Sequence, residues 1–195
     1  MPSITKEAIF QYVYAVLHHP AYRKKYPMNL KREFPRIPFY GDFGQWADWG
    51  KTLLDLHLNY ETAEPYPLER VELPKGGGKA IVQKQFFGTV AEPEPLFTPA
   101  PKARLRADKT AGTIELDEQT TLRGVPPAAW EYKLGNRSAL EWILDQYKES
   151  KPSDPTIAAQ FNTYRFADYK ERVIDLLKRV CTVSVETMNI VNIMP

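Results

Sequence analysis

Gly76-Gly77-Gly78-Lys79 is the stretch most like a phosphate-binding loop, a glycine-rich turn whose backbone N–H groups cradle an anion. The required spacing to a Lys-Ser/Thr pair is missing, and a flexible hairpin loop accounts for the glycines. His18 and His19 are adjacent, so on a helix their rings point about 100° apart and do not converge on one metal ion. His57 stands alone, with Asp55 and Glu61 near it in sequence. A hydrogen-bonded structural histidine is the favoured reading there, with a catalytic base as the rival. The carboxylates are scattered, and no pairing marks a nuclease or a glycosidase. No serine occupies a nucleophile elbow, and Cys181 falls on the apolar stripe of a helix, where a thiol is buried and structural. An Asn-Pro-Pro-aromatic methyltransferase motif and a nucleotide fingerprint are both absent. The chain itself is therefore expected to carry no catalytic residue, no metal ligand and no cofactor.

What remains are places where basic, amide and aromatic side chains occur together, the mixture a DNA reader uses for phosphates and base edges. Lys133-Leu134-Gly135-Asn136-Arg137-Ser138 leads into a helix start, where free backbone N–H groups and the helix dipole favour a phosphate. Lys133, Asn136, Arg137 and Ser138 are the candidate donors, and a plain helix-capping loop with solvated charges is the competing reading. Asn162-Thr163-Tyr164-Arg165 precedes the last helix. Arg165 has the fork that reads a guanine edge and Asn162 the amide that reads an adenine, while Tyr164 completes the group. A polar turn with Tyr164 packed on the core explains the same residues. The third place is a β region carrying Lys75, Lys79, Lys84, Lys102, Arg104 and Arg106. Of these, Lys79, Lys84, Arg104 and Arg106 are the candidate DNA contacts, although alternating cations also protect sheet edges. The wealth of aromatics, 11 Tyr, 9 Phe and 4 Trp, invites a base-stacking platform. Tyr12, Trp46, Trp142 and Tyr169 instead fall at helical packing positions, so core is the expectation.

The elements that must position these residues follow from caps and periodicity. Thr5 caps a helix to His18, with Ile9, Tyr12, Val13, Val16 and Leu17 at helical spacing. Pro20 suits the first turn of a short second helix through Tyr26. Phe34-Pro35-Arg36-Ile37-Pro38-Phe39 cannot be helical, because two prolines remove donors and push their predecessors to extended geometry. Asp42 caps a longer helix to about Tyr60, with Phe43, Trp46, Leu53, Leu54 and Leu58 as candidates for its buried side. Gly50 inside it costs about 1 kcal/mol unless it permits close packing.

Short extended runs then follow at Arg70–Leu73, Ala80–Phe87, Ala103–Ala107, Thr113–Leu116 and Thr120–Arg123. Helical patterning returns at Pro126–Tyr132 and Ser138–Lys148, where Ser138 and Glu141 form a capping box. A last long helix is expected from about Ala167 to Cys181. The β-branched tail Thr182–Val185 should end it, with Val185–Ile193 as a final strand or short helix. The fold class is α+β, with helical N- and C-terminal segments around a small antiparallel β region: helical over 4–62, β-rich over 65–124 and helical over 126–195, all in one domain.

The chain has 195 residues, 43% of them hydrophobic and 26% charged, within the ordinary globular range. Its net charge is only +2, so a nucleic-acid face must come from charge gathered on one side. A single cysteine excludes an internal disulfide and a multi-cysteine zinc site. No stretch reaches the roughly 18 apolar residues that cross a bilayer, so no membrane partner is expected and the location should be cytoplasmic.

Four stretches, kept in order along almost the whole chain, resemble the C-terminal specificity domain of Type ISP restriction-modification enzymes. They are YVYAVLHHPAYRKKY (Tyr12–Tyr26) with PRIPF (Pro35–Phe39), LHLNYE (Leu56–Glu61), WEYKLGNRSALEWILDQY (Trp130–Tyr147), and Tyr169–Pro195 with VSVETMNIVN inside it. Pro74–Gly124 carries no family pattern beyond a Val-x-Lys-x-x-Phe-like run at Val82–Phe87. The resemblance implies a parent chain with a nuclease, an ATP-driven translocase needing Mg2+, and an adenine methyltransferase using S-adenosylmethionine. It implies that this domain grips duplex DNA at a short site so that the methyltransferase can flip an adenine there. The helicase and methyltransferase domains of that parent are the implied protein partners. An interaction domain that docks methyltransferase and motor, without reading bases, is the rival reading. A small metal-dependent nuclease is a third.

Overall fold

The computed structural model describes residues 4–73, 100–150, 154–157 and 164–195. The run Ala80–Phe87, the glycines Gly76–Gly78 and the candidates Lys79, Lys84 and Asn162 lie outside them. The chain forms two compact units, one of residues 1–67, 126–142 and 174–195, the other of residues 68–125 and 143–173. The class is α+β, as the sequence patterning predicts.

The first unit is built on helices α1 (Lys6–His18) and α4 (Phe43–Leu58), with the short α2 (Pro20–Lys25) and α3 (Asn29–Arg32) between them. Thr5 caps α1 by accepting from the Ala8 N–H at 3.1 Å. Asp42 caps α4 by accepting from the Gln45 N–H at 3.1 Å, from a left-handed backbone with φ 54° that a short polar side chain tolerates. Tyr12, Ala15, Val16, Tyr22, Trp46, Ala47, Leu53 and Met194 make the core. The two helices pass closest at Gly50, where a Cβ would lie 1.7 Å from the Gln11 carbonyl oxygen. That resolves the glycine's cost: it permits the close approach.

The proline-bounded stretch from Phe34 is not helical, as expected, and tyrosines hold it to the helices. Tyr12 donates its hydroxyl to the Pro38 carbonyl at 2.8 Å and accepts from the Tyr40 N–H at 2.7 Å. Tyr22 donates to the Arg36 carbonyl at 3.1 Å. Leu58, expected on the buried side of α4, is exposed. It is the helix's last residue, where the apolar stripe runs past the helix it covers.

The second unit is an antiparallel sheet of β1 (Glu69–Glu72), β2 (Ala103–Asp108), β3 (Thr113–Asp117) and β4 (Thr120–Arg123), in the order β1-β4-β3-β2. Leu105, Ile114, Leu116 and Leu122 bury the inner face. The β3–β4 turn is drawn tight by Asp117, whose carboxylate accepts from the Gln119 and Thr120 N–H groups at 2.8 and 2.7 Å. Gly112 has φ +63° at the β2–β3 turn, and a Cβ there would meet the Val125 carbonyl oxygen at 2.8 Å. Only glycine meets both demands. Between Ala103 and Arg106 the β2–β3 register slips, a bulge in which Leu105 takes φ +42° while its side chain stays buried.

Three further helices among the described residues are α5 (Pro127–Glu131), α6 (Ala139–Gln146) and α7 (Lys170–Asn192). α7 corrects the sequence expectation. It does not stop near Cys181 but continues through Thr182–Val185, with no separate final strand or helix. β-branched residues each cost a helix only a few tenths of a kcal/mol, and here burial outweighs them. Val180, Cys181, Val183, Ser184, Thr187 and Val191 are all buried. Ser184 spends its hydroxyl on the Val180 carbonyl one turn back, at 2.7 Å. Burial pushes the Cys181 thiol up to about 12, the inert thiol the sequence predicts. Among the described residues no helix is long and apolar enough to cross a membrane.

His57 is structural, as its context predicts. Its Nδ1 lies 2.7 Å from the Tyr14 hydroxyl and its Nε2 2.8 Å from the Thr187 hydroxyl. One neutral tautomer satisfies both, accepting from Tyr14 and donating to Thr187. Tyr132 stacks on the ring at 5.4 Å, and the His18 ring is 5.3 Å away. Burial, with His18 beside it, pushes His57 from the ordinary 6.5 down to about 4; burial lowers His18 as well. The unfolded chain therefore binds more protons than the folded one in this range. The stabilisation is complete above pH 6.5 and is lost as pH falls through about 4. Urea unfolding at pH 7 and pH 5 should differ by about 1 kcal/mol from this source, allowing for water access to the ring. His57→Gln should flatten that difference; an equally steep dependence in the variant would show that the acid sensitivity arises elsewhere.

Candidate functional site

Lys133–Ser138, expected to be a loop, is a two-residue hairpin of β5 (Lys133–Leu134) and β6 (Arg137–Ser138). Gly135, at φ +74°, is the first turn residue, the place where a type II′ turn demands glycine. The hairpin runs directly into α6. Ser138 and Glu141 form the expected capping box. Ser138 donates its N–H and its hydroxyl to the Glu141 carboxylate, at 2.9 and 2.8 Å, and its Oγ accepts from the Glu141 N–H at 3.3 Å. Ser138 is buried and committed to that cap, and a carboxylate already occupies its N–H. Lys133, Asn136 and Arg137 are exposed on the hairpin.

Trp142 departs from the core role expected of it. It is 44% exposed, and its indole N–H donates to the Leu134 carbonyl at 2.7 Å. The Arg137 guanidinium lies over its ring, 5.6 Å from the centroid, a distance at which the cation is attracted by the ring face. Trp142 thus braces the hairpin and orients Arg137. Its place one turn into α6 is the signal sequence periodicity misassigns, because the same spacing serves a core contact or a brace.

In the second unit, Tyr164 donates to the Tyr147 carbonyl at 2.9 Å and stacks on Tyr169, centroids 5.4 Å apart. Tyr169, also expected in the core, precedes α7 and is exposed. Arg165 is exposed and donates to the Tyr164 carbonyl at 2.9 Å. It also lines an open concavity of about 480 Å³ together with Lys102, Ala103, Arg104, Leu105, Lys148, Glu149 and Ser150. Arg104 and Arg165, singled out in separate stretches, therefore share one site. Arg106 is exposed on the same strand but does not line it. Lys148 carries no sequence signal, since only folding brings the end of α6 to the β2 bulge. Among the described residues no group of acidic, histidine and cysteine side chains could hold a metal ion.

Residues 2–176 match the Type ISP C-terminal specificity domain, and the chain belongs to that family. Among solved structures it is similar to a chain of the cryo-EM structure of the DrdV–DNA complex, with 55% identity and a TM-score of 0.81 over 98% of this chain and 18% of that one. A nuclease-deletion mutant of the Type ISP restriction-modification enzyme LlaGI, in complex with a DNA substrate mimic, is 28% identical with a TM-score of 0.65, over 98% and 16% of the two chains. The ATP-dependent Type ISP restriction-modification enzyme LlaBIII bound to DNA is 26% identical with a TM-score of 0.67, over 100% and 11%. The chain thus spans less than a fifth of the length of each of these. No curated protein matches it.

Proposed function

We propose that the chain is a sequence-specific duplex-DNA recognition module that positions a target site for the methyltransferase of a larger restriction-modification chain. The observation that carries this reading is family membership over residues 2–176, joined by relatives solved with DNA. The module is itself non-catalytic and works in the cytoplasm. The nuclease, the ATP- and Mg2+-dependent translocase and the S-adenosylmethionine-dependent adenine methyltransferase belong to the rest of that chain, as do the docking partners.

Base reading falls to exposed donors on braced backbone. Asn136 and Arg137 stand on the hairpin that Trp142 holds; a bidentate pair from such residues discriminates a base by about 1–3 kcal/mol. Lys133, Arg104, Arg106 and Arg165 are further contacts on described backbone. Lys79, Lys84 and Asn162 remain candidates by residue type alone.

Selection from random duplexes tests the reading. One short asymmetric site should emerge, bound far better than unrelated DNA and lost steeply as salt rises. Arg137→Ala should relax the preference at one position of the site. No enriched sequence, or affinity indifferent to salt, would sink the reading.

A docking role without base readout has one observation of its own. Phe34 and Phe39 are 95% and 98% exposed, large apolar surfaces turned to solvent. If the larger chain methylates the same site after this module is deleted, docking is its role and recognition lies elsewhere.

A further inference from the structure

We propose that the concavity lined by Lys102, Arg104, Lys148 and Arg165 is a phosphate clamp, which takes the phosphodiester backbone of duplex DNA and reads no base. The inference rests on the DNA-recognition reading above and divides the labour within it. Its cations come from three separate stretches, residues 102–105, 148–150 and 165. Among the described residues, four cationic side chains and one carboxylate line it, more positive charge than the net +2 of the whole chain. Gathering like charges in one concavity focuses their field on an incoming anion.

The carboxylate is in part committed to the backbone. Glu149 accepts from the Phe166 backbone N–H at 2.8 Å, so one of its oxygens is turned to the chain. Glu115 and Glu118 come no closer to Arg104 than 4.0 Å, beyond hydrogen-bond reach, which leaves guanidinium donors for a ligand. Lys148 holds Asp145 at 3.1 Å on an exposed surface, a pair that yields readily to a phosphate.

The backbone directs the charge. A bulge re-aims the side chains around it, and this one is locked by the buried Leu105 at φ +42°. Arg104 lines the concavity and Arg106 does not. The composition of the lining favours phosphate, the one ligand that all four cations can share. Among the described residues that line it, none is an aromatic that could stack on a base and none an Asn or Gln that reads an adenine edge. What is present suits a charged, sequence-independent ligand.

The test measures the affinity of the full chain for two duplexes, one bearing the selected site and one of unrelated sequence, across a range of KCl concentrations. In Lys102→Ala/Arg104→Ala, both affinities should fall by the same factor, about tenfold or more. The slope of log affinity against log salt should shrink by about 0.9 for each phosphate contact removed. Arg104→Lys should restore part of the loss. Thermal melting of each variant guards against unfolding, and the milder Lys102→Gln carries the same test if the double variant melts early.

Unchanged affinity and slope would overturn the clamp and leave the recognition reading intact, pointing to an acidic protein surface as the ligand. A loss confined to the selected duplex would overturn it in favour of a base reader. Failure of the unaltered chain to prefer the selected duplex would bring down the recognition reading itself.

Discussion

Gly50→Ala is expected to destabilise the chain by more than about 3 kcal/mol. The added Cβ would fall 1.7 Å from the Gln11 carbonyl oxygen and 2.5 Å from its carbonyl carbon. Both are backbone atoms inside α1, so no side chain can swing aside. The helices must separate, and they pack Tyr12, Ala15, Val16, Trp46, Ala47 and Leu53 between them. Alanine is the better helix former by about 1 kcal/mol, so propensity alone predicts the opposite sign. Packing wins because the overlap loosens a whole interface, while propensity acts at one residue. Gly44→Ala separates the two effects. Its Cβ meets only the Asp42 carboxylate, at an ordinary 3.7 Å, so it should be neutral or stabilising by up to about 1 kcal/mol. Urea unfolding of both variants checks the pair, and a Gly50→Ala chain as stable as its parent would refute the account.

The second large effect is in the sheet unit. Asp117, with its side chain 2% exposed, holds the Lys170 ammonium at 2.8 Å. Lys170 also donates to the Thr120 hydroxyl, which donates in turn to Glu72 at 2.8 Å. Arg70 ties the same cluster to Glu171 with two parallel bonds of 2.7 and 2.9 Å. Burial alone would raise Asp117; the Lys170 hydrogen bond, the two backbone N–H donors and the ammonium's charge together hold it below the ordinary carboxylate value. Lys170→Met should therefore cost about 3–5 kcal/mol, because it leaves a buried carboxylate without its counter-charge.

Adding Asp117→Asn to that variant should recover much of the loss. The amide keeps the oxygen that accepts from Gln119 and Thr120 but carries no charge. Additive losses in the double variant would mean that the two residues do not act as a pair. The pH sign follows from the lowered carboxylates. Asp117, Glu72 and Glu171 are all held below their usual values. Their contribution is complete above the ordinary carboxylate range and is lost as pH falls below it.

Local chemistry was legible in the sequence wherever its cause lies within about four residues. Thr5 and Asp42 cap their helices, Ser138 and Glu141 close a capping box, and two prolines keep Phe34–Phe39 out of any helix. The turns of β2–β3 and β3–β4 fall where the runs predicted them. The errors arose where a pattern fits two environments. Trp142 has core spacing, but it braces a hairpin from outside. Thr182–Val185 has the composition of a helix stop, but burial within its unit carries α7 on to Asn192.

By itself the sequence determined the α+β class, the lack of any familiar catalytic motif and the resemblance to a specificity domain, because periodicity, capping and motif spacing are written along the chain. Only the tertiary structure decided that Gly50 is a point of helix contact, that Trp142 braces a hairpin, and that Lys102, Arg104, Lys148 and Arg165 share one concavity. Those facts depend on which distant segments meet once apolar surface is buried, and that pairing leaves no mark in the spacing of any one stretch.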